Sequence, residues 1–198
     1  METRPDIFNR LLTDTAILER EQMDIDTTHQ LERLLSRLAA VERYRIVRKY
    51  ARGIVADAAC GCGFGSWMLS KCPRVTSVVG FDRSGESLDF ARSAYGGNYE
   101  CVDLEASEFS DTLKHLAIET VVSVETIEHL VNPRLFIANV LCADVGRLVM
   151  TFPSFPTTVF NHYHLNDVTL VDMIEMVGRE PVVDFILDDA VQFVVFDL

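Results

Sequence analysis

The chain has 198 residues, 48% of them hydrophobic and 24% charged, and a net charge of −12. That length and balance describe a domain able to bury its own core, and they exclude a disordered tail. An acidic body is also poorly suited to broad nucleic-acid binding, which needs many phosphate contacts. No apolar run reaches the length of a membrane span, and the polar start lacks a signal-peptide core. The five cysteines (Cys60, Cys62, Cys72, Cys101 and Cys142) show no C-x-x-C spacing. Reduced thiols in a cytoplasmic protein are therefore expected rather than zinc or disulfides.

Residues 1–28 carry scattered apolar positions and read as an arm, with a single domain over 29–198. A helix is expected from Thr28 to about Arg52. Leu31, Leu34, Leu35 and Leu38 give it one apolar face, and Gly53 stops it. Residues 31–52 hold seven of the eighteen basic residues against two acids, so the segment is +5 and the remainder −17. Two readings stand for it: a solvated face, or a patch that draws an anionic acceptor to a nearby site.

Ile54 to Gly65 runs Ile-Val-Ala-Asp-Ala-Ala-Cys-Gly-Cys-Gly-Phe-Gly. A short apolar run with an acid near its end, opening into three glycines, reads as a first parallel strand, a tight turn and a helix from Ser66 to Lys71. Glycines let backbone pass close under a flat ligand, so this is a nucleotide-cofactor cradle. A phosphate loop would need Lys followed by Ser or Thr, and neither occurs here. The dinucleotide fingerprint Gly-x-Gly-x-x-Gly fails because the third glycine comes one position early, with Ser66 in its place.

Val75–Asp82 is a second buried strand, after which Ser84 caps a helix to Tyr95. Asp82 lies 21 residues beyond Gly61, close to the spacing at which an acid accepts ribose hydroxyls. Asn98 to Asp103 reads as a third strand with an acid at its exit, and Thr120 to Glu125 as a fourth, followed by Glu128 and His129. Pro133 starts a helix with Phe136, Val140 and Leu141 on its apolar side. Arg147 to Phe152 is a fifth strand. It leads into a loop to His164 rich in Pro, aromatics and His, after which Asn166 or Asp167 caps a helix ending at Gly178. Pro181 to Leu187 and Val191 to Phe196 close the chain as a hairpin around Asp188-Asp189.

In order, these elements resemble the class I S-adenosylmethionine-dependent methyltransferases. Their first motif runs acid-x-Gly-x-Gly-x-Gly, matched by Asp57, Gly61 and Gly63, with Ala59 at the first glycine; Glu125-x-x-Glu128-His129 resembles their fourth. The resemblance implies an α/β, doubly wound, mostly parallel seven-stranded sheet with an antiparallel C-terminal hairpin and helices on both faces. It also implies S-adenosylmethionine as cofactor, held by Asp57, Ala59, Gly61, Gly63, Phe64, Asp82 and Glu125. Asp103 would meet the adenine amino group, Leu104 the ring, and Tyr44 would help cover the pocket or merely pack on the sheet.

Two arrangements compete beside the methyl group. In the metal-free one, His129 acts as base or acceptor clamp for a small-molecule acceptor, Glu125 lines the cofactor, Glu128 is a solvated helix residue, and His164 joins the site or caps its loop against the sheet. In the RNA-tail 2′-O-methyltransferases, two acids and two His surround a divalent ion. The matching set would be Glu125, Glu128, His129 and His162 or His164. A cofactor-binding regulator without catalysis is a further alternative; hydride transfer fits the glycine spacing poorly.

Overall fold

The structure is a computed structural model, and it describes residues 38–198. The expected arm and the leucines at 31, 34 and 35 lie outside the described residues. The chain divides into two compact units, Met1–Glu42 and Arg43–Leu198; the second carries the architecture below.

Five strands run parallel: β1 (Gly53–Ala58), β2 (Val75–Asp82), β3 (Asn98–Cys101), β4 (Thr120–Val124) and β5 (Arg147–Pro153). β6 (Val183–Ile186) and β7 (Val191–Asp197) are antiparallel to their neighbours, and the sheet order is β3-β2-β1-β4-β5-β7-β6. β1, β4, β5 and β7 are buried along most of their length, as strands with both faces covered must be. The chain order therefore reverses between β1 and β4. In open α/β sheets ligands bind at such a reversal, outside the carboxyl ends of the strands.

The helices are α1 (described over residues 38–47), α2 (Phe64–Ser70), α3 (Gly85–Tyr95), α4 (Ser107–His115), α5 (Pro133–Cys142) and α6 (Leu170–Val177). A single 3-10 turn, Ile127–His129, bridges β4 and α5. One core face is organised by Phe81, Phe109 and Phe136, with successive ring centroids 5.4 and 6.1 Å apart. No helix among the described residues is long and apolar enough to cross a membrane.

Several local expectations change. α1 ends by residue 47 rather than near Arg52, and Gly53, at φ 67, opens β1 instead of stopping a helix. The side chain of Glu119 fills the space where a Cβ at Gly53 would sit. α2 starts at Phe64, not Ser66, because Gly63 takes the left-handed N-cap position at φ 82. α6 is capped by neither Asn166 nor Asp167. Thr169 and Asp172 form a reciprocal capping box, and Asp167 is spent on Thr157 and Thr158. α4 has Ala106 at its N-cap and no side-chain cap there, which leaves no start signal in the sequence. It closes with left-handed Ala117 at φ 50, whose N–H and that of Ile118 donate to the Lys114 and Leu113 carbonyls at 3.0 Å.

Beneath the glycine turn lies a buried polar knot. Asp57 is fully buried; its Oδ1 accepts from the Tyr44 hydroxyl at 3.0 Å and its Oδ2 from Ser66 Oγ at 2.7 Å. α1, β1 and α2 are thereby pinned through one carboxyl group. Gly65 is obligatory here, since a Cβ would collide with the Tyr44 ring. Burial pushes the Asp57 carboxyl up to about 6, against the pull of Ser66 and Tyr44.

Because the folded-state value lies above the usual 3.8, the stability Asp57 contributes is fully present below about pH 4. It is lost as pH rises through about 6. Asp57→Asn removes this titration. Its stability relative to wild type is expected to improve by on the order of 2–3 kcal/mol between pH 4 and 7. Denaturant unfolding of both proteins across that range checks it; a pH-independent difference would contradict it.

Candidate active site

The exits of β1 to β5 meet at one edge of the sheet, and the residues expected to carry chemistry fall on two sides of the β1/β4 reversal. On the first side the chain leaves β1 through Ala59 at φ 58, Gly61 at φ 53 and Gly63 at φ 82. Three left-handed residues in five make the sharp turn, and a non-glycine at Ala59 costs about 1 kcal/mol. The turn is stitched to β2: Cys60 N donates to the Phe81 carbonyl at 2.9 Å and Gly61 N to Asp82 Oδ2 at 2.8 Å. Asp82 Oδ1 accepts from Ser84 N at 2.9 Å. Each carboxylate oxygen thus has one backbone partner and a second acceptor direction to spare.

The three glycines differ in what they face. A Cβ at Gly63 would run into Ala91 and Tyr99 and one at Gly65 into Tyr44, whereas one at Gly61 would meet nothing within 4 Å. Gly63 and Gly65 therefore serve packing, and Gly61 faces open space. Asp103 is exposed, with Oδ1 accepting from Glu105 N at 3.0 Å. Leu104, expected against a ring, is only 5% exposed and belongs to the core. Phe64 packs with Trp67 and Tyr95, at 6.2 and 6.5 Å between centroids. Asp57, expected at the cofactor, and Tyr44, for which covering the pocket and packing on the sheet were both open, bond to each other in the interior.

The second side begins at Glu125, a left-handed residue at φ 49 whose N–H is held by the Thr151 carbonyl and hydroxyl at 3.1 and 3.2 Å. Strain of this kind persists where the surroundings over-determine it. Arg43 reaches Glu125 Oε2 at 3.5 Å and Asp189 Oδ2 at 2.9 Å, bringing α1, β4 and the β6–β7 turn together. Nothing in its sequence neighbourhood set Arg43 apart from the other basic residues of that segment. Burial raises the Glu125 carboxyl above its ordinary value, with Arg43 opposing.

Glu128 is not the solvated residue expected: packed under the loop to Asn166, it is 1% exposed. His129 Nε2 lies 3.9 Å from its Oε1, and neither of its carboxylate oxygens has a hydrogen-bond partner among the described residues; the same holds for Glu125 Oε1. Burial, then the neighbouring Glu125, pushes Glu128 up to about 8. His129 Nδ1 lies 2.9 Å from the Tyr163 carbonyl. A carbonyl only accepts, so Nδ1 carries the proton and the neutral ring keeps its lone pair on Nε2. The His164 ring stands edge-on to it at 4.6 Å, with Nδ1 2.6 Å from Thr157 Oγ1. Burial and then His129 lower the His164 pKa.

Ligand-capable atoms of Glu128, His129 and His164 lie within 4.8 Å of one another. His162 is exposed and stands outside the group, so of the two histidines left open by the sequence it is His164 that joins. The β4 and β5 exits are braced by Asn166, whose N–H and that of Leu165 donate to the Glu128 carbonyl at 3.1 and 2.7 Å. Its role had no motif to announce it.

Residues 57–142 match the family model described as a methyltransferase domain. No curated protein matches the chain. Among solved structures, the PH0226 protein from Pyrococcus horikoshii OT3 is 16% identical with a TM-score of 0.64, covering 81% of this chain and 90% of that one. The N-methyltransferase NodS from Bradyrhizobium japonicum WM9, solved with S-adenosyl-l-homocysteine, is 14% identical with a TM-score of 0.59, covering 81% and 86%. The small RNA methyltransferase HEN1 is 17% identical with a TM-score of 0.60; the match covers 82% of this chain and 25% of that one. At such identities the structural likeness shows the fold, and the family model speaks for the stretch from the end of β1 through α5. Over residues 57–142 the chain is thus similar to a methyltransferase domain, and its sheet has the fold of the solved methyltransferases.

Proposed function

We propose that the domain transfers a methyl group from S-adenosylmethionine to a small-molecule acceptor presented at Glu125, His129 and His164. The observation that carries this reading is the open face of Gly61 beside the two spare acceptor directions of Asp82. A flat ligand with a vicinal diol fits that chemistry. When bound, the cofactor supplies an electrophilic methyl carbon on its sulfonium. Asp82 would hold the ribose hydroxyls and Asp103 the adenine amino group.

The residues across the β1/β4 reversal would serve the acceptor. Tyr163 holds the His129 Nδ1 proton, which leaves Nε2 to take a proton from the attacking group. With its raised pKa, Glu128 is protonated at neutral pH and adds no charge against which a cationic cofactor must be balanced. Alignment of the two reactants would supply much of the barrier reduction, about 7–11 kcal/mol for well-oriented partners. Arg43, a residue of the basic segment that reaches this edge, pairs with Asp189 and Glu125, so the reading does not lean on an anionic acceptor.

A second reading has its own support. Three carboxylate oxygens buried without partners beside two imidazoles are what a divalent cation would satisfy. Glu128, His129 and His164 would hold it, with Glu125, which stands outside that group, as a further candidate, and the ion would clamp acceptor hydroxyls, as in the RNA-tail methyltransferases. The net charge of −12 weighs against an RNA acceptor.

Three measurements test these readings. Asp82→Ala is expected to weaken S-adenosylmethionine binding by about tenfold or more, the loss of charged hydrogen bonds, with calorimetry as the assay. Equal affinities would remove Asp82 from the site. His129→Ala should lower the turnover of labelled cofactor with candidate acceptors by about 10²–10⁴-fold while leaving cofactor affinity unchanged. Prolonged chelation should leave activity intact; loss of activity restored by manganese would replace the first reading with the second.

A further inference from the structure

The segment expected to meet adenine is tied to the segment that carries His129. Asp103 Oδ1 accepts from Glu105 N at 3.0 Å. The half-buried Glu105 carboxylate then crosses to the next strand exit, where its oxygens accept from Val131 N at 3.2 Å and Asn132 N at 2.5 Å. Asn132 stands at the N-cap of α5 and makes no side-chain cap of its own. Glu105 therefore supplies from 27 residues away what the local sequence lacks. Asn139 of α5 grips the same loop from the other side, donating to the carbonyls of Leu104 and Ala106 at 2.9 and 2.8 Å.

The connection continues toward the acceptor side. The Leu130 carbonyl accepts from Asn166 Nδ2 at 2.5 Å, the Glu128 carbonyl from the N–H groups of Leu165 and Asn166, and the Tyr163 carbonyl from His129. A series of hydrogen bonds outside the regular ladders thus joins Asp103 to His129; the Glu105 carboxylate is its direct link to residues 131 and 132, while Asn139 ties the same loop to the body of α5.

We propose that Glu105 is a positioning residue that couples occupancy of the adenine side to the ordering of residues 128–132 and the loop against them. The inference rests on the proposed cofactor reading. Residues 103–106 and 128–132 are held as one body, so a ligand that fixes the first also fixes the second, and His129 with it. The carboxylate matters as an acceptor of two adjacent N–H groups, which alanine cannot replace.

Hydrogen exchange of the full chain, with and without S-adenosylhomocysteine, tests this. In the wild type the ligand is expected to slow exchange by about fivefold or more both in the glycine turn and at residues 129, 165 and 166. In Glu105→Ala the glycine turn should still respond while residues 129, 165 and 166 no longer do. Asp172→Ala, which removes a helix cap outside the series, should keep both responses and so separates coupling from general destabilisation. Should Glu105→Ala fail to fold, Glu105→Gln keeps the shape with one acceptor oxygen in place of two, and the response at residues 129, 165 and 166 is then expected to shrink. Full retention of the distant response in Glu105→Ala, or in Glu105→Gln if that variant is needed, overturns the proposal. So does a wild type in which only the glycine turn responds, which would leave the cofactor reading intact. No response anywhere in the wild type would overturn both.

Discussion

A carboxyl group without access to water lies at the end of β1, and the cradle above it depends on keeping that group satisfied. Asp57 is met by Tyr44 from α1 and by Ser66 from α2. An unpaired buried carboxylate would cost several kcal/mol, so neither helix can depart without penalty. The Tyr44 ring needs the space that Gly65 leaves, which fixes the approach of α2 to β1 and so the start of the helix after the turn. The turn can then open toward Asp82 at Gly61, whose far side is free. The acid of the glycine motif thus satisfies the two helices beside it, which is why an interior tyrosine accompanies it.

The second side of the site works on the opposite principle, with polar groups left unsatisfied. The Glu128 carboxyl is buried with no hydrogen-bond partner among the described residues, although its backbone carbonyl is held by two N–H groups. The main chain is fixed so that the side chain need not be. Left-handed Glu125 adds strain at the same exit. Such costs are tolerated where a site must receive something, and here they fall within a few residues of His129 and His164. The loop beyond adds exposed Phe160 and Tyr163, at 75% and 81%, an apolar rim next to the polar cluster.

Much of this was legible in the sequence because it rests on local chemistry. β2 ends at Asp82 and α3 runs from its Ser84 cap to Tyr95, as an apolar run followed by a cap and a helical stretch demands. Pro133 opens α5 and Gly178 closes α6 for equally local reasons. What escaped depends on partners distant in sequence. Tyr44 and Asp57 are 13 residues apart with a strand start between them, and Glu105 caps a helix 27 residues on. Asn166 and Asp167 looked like helix caps because their side chains are good ones, but Thr169 with Asp172 offered the reciprocal pair and won. α4 was missed because Ala106 gives no start signal. Leu104 was placed against a ligand by motif order alone, and the core claimed it.

In the proposed function the exits of β1, β2 and β3 hold the cofactor through Gly61, Asp82 and Asp103. A crystal structure of the protein with S-adenosylhomocysteine decides it. The ribose hydroxyls are expected on Asp82, the adenine amino group on Asp103 and backbone contact at Gly61, with the sulfur facing the Glu125 and His129 side. A ligand bound at the opposite edge of the sheet, or at this edge with its ribose away from Asp82, would contradict it.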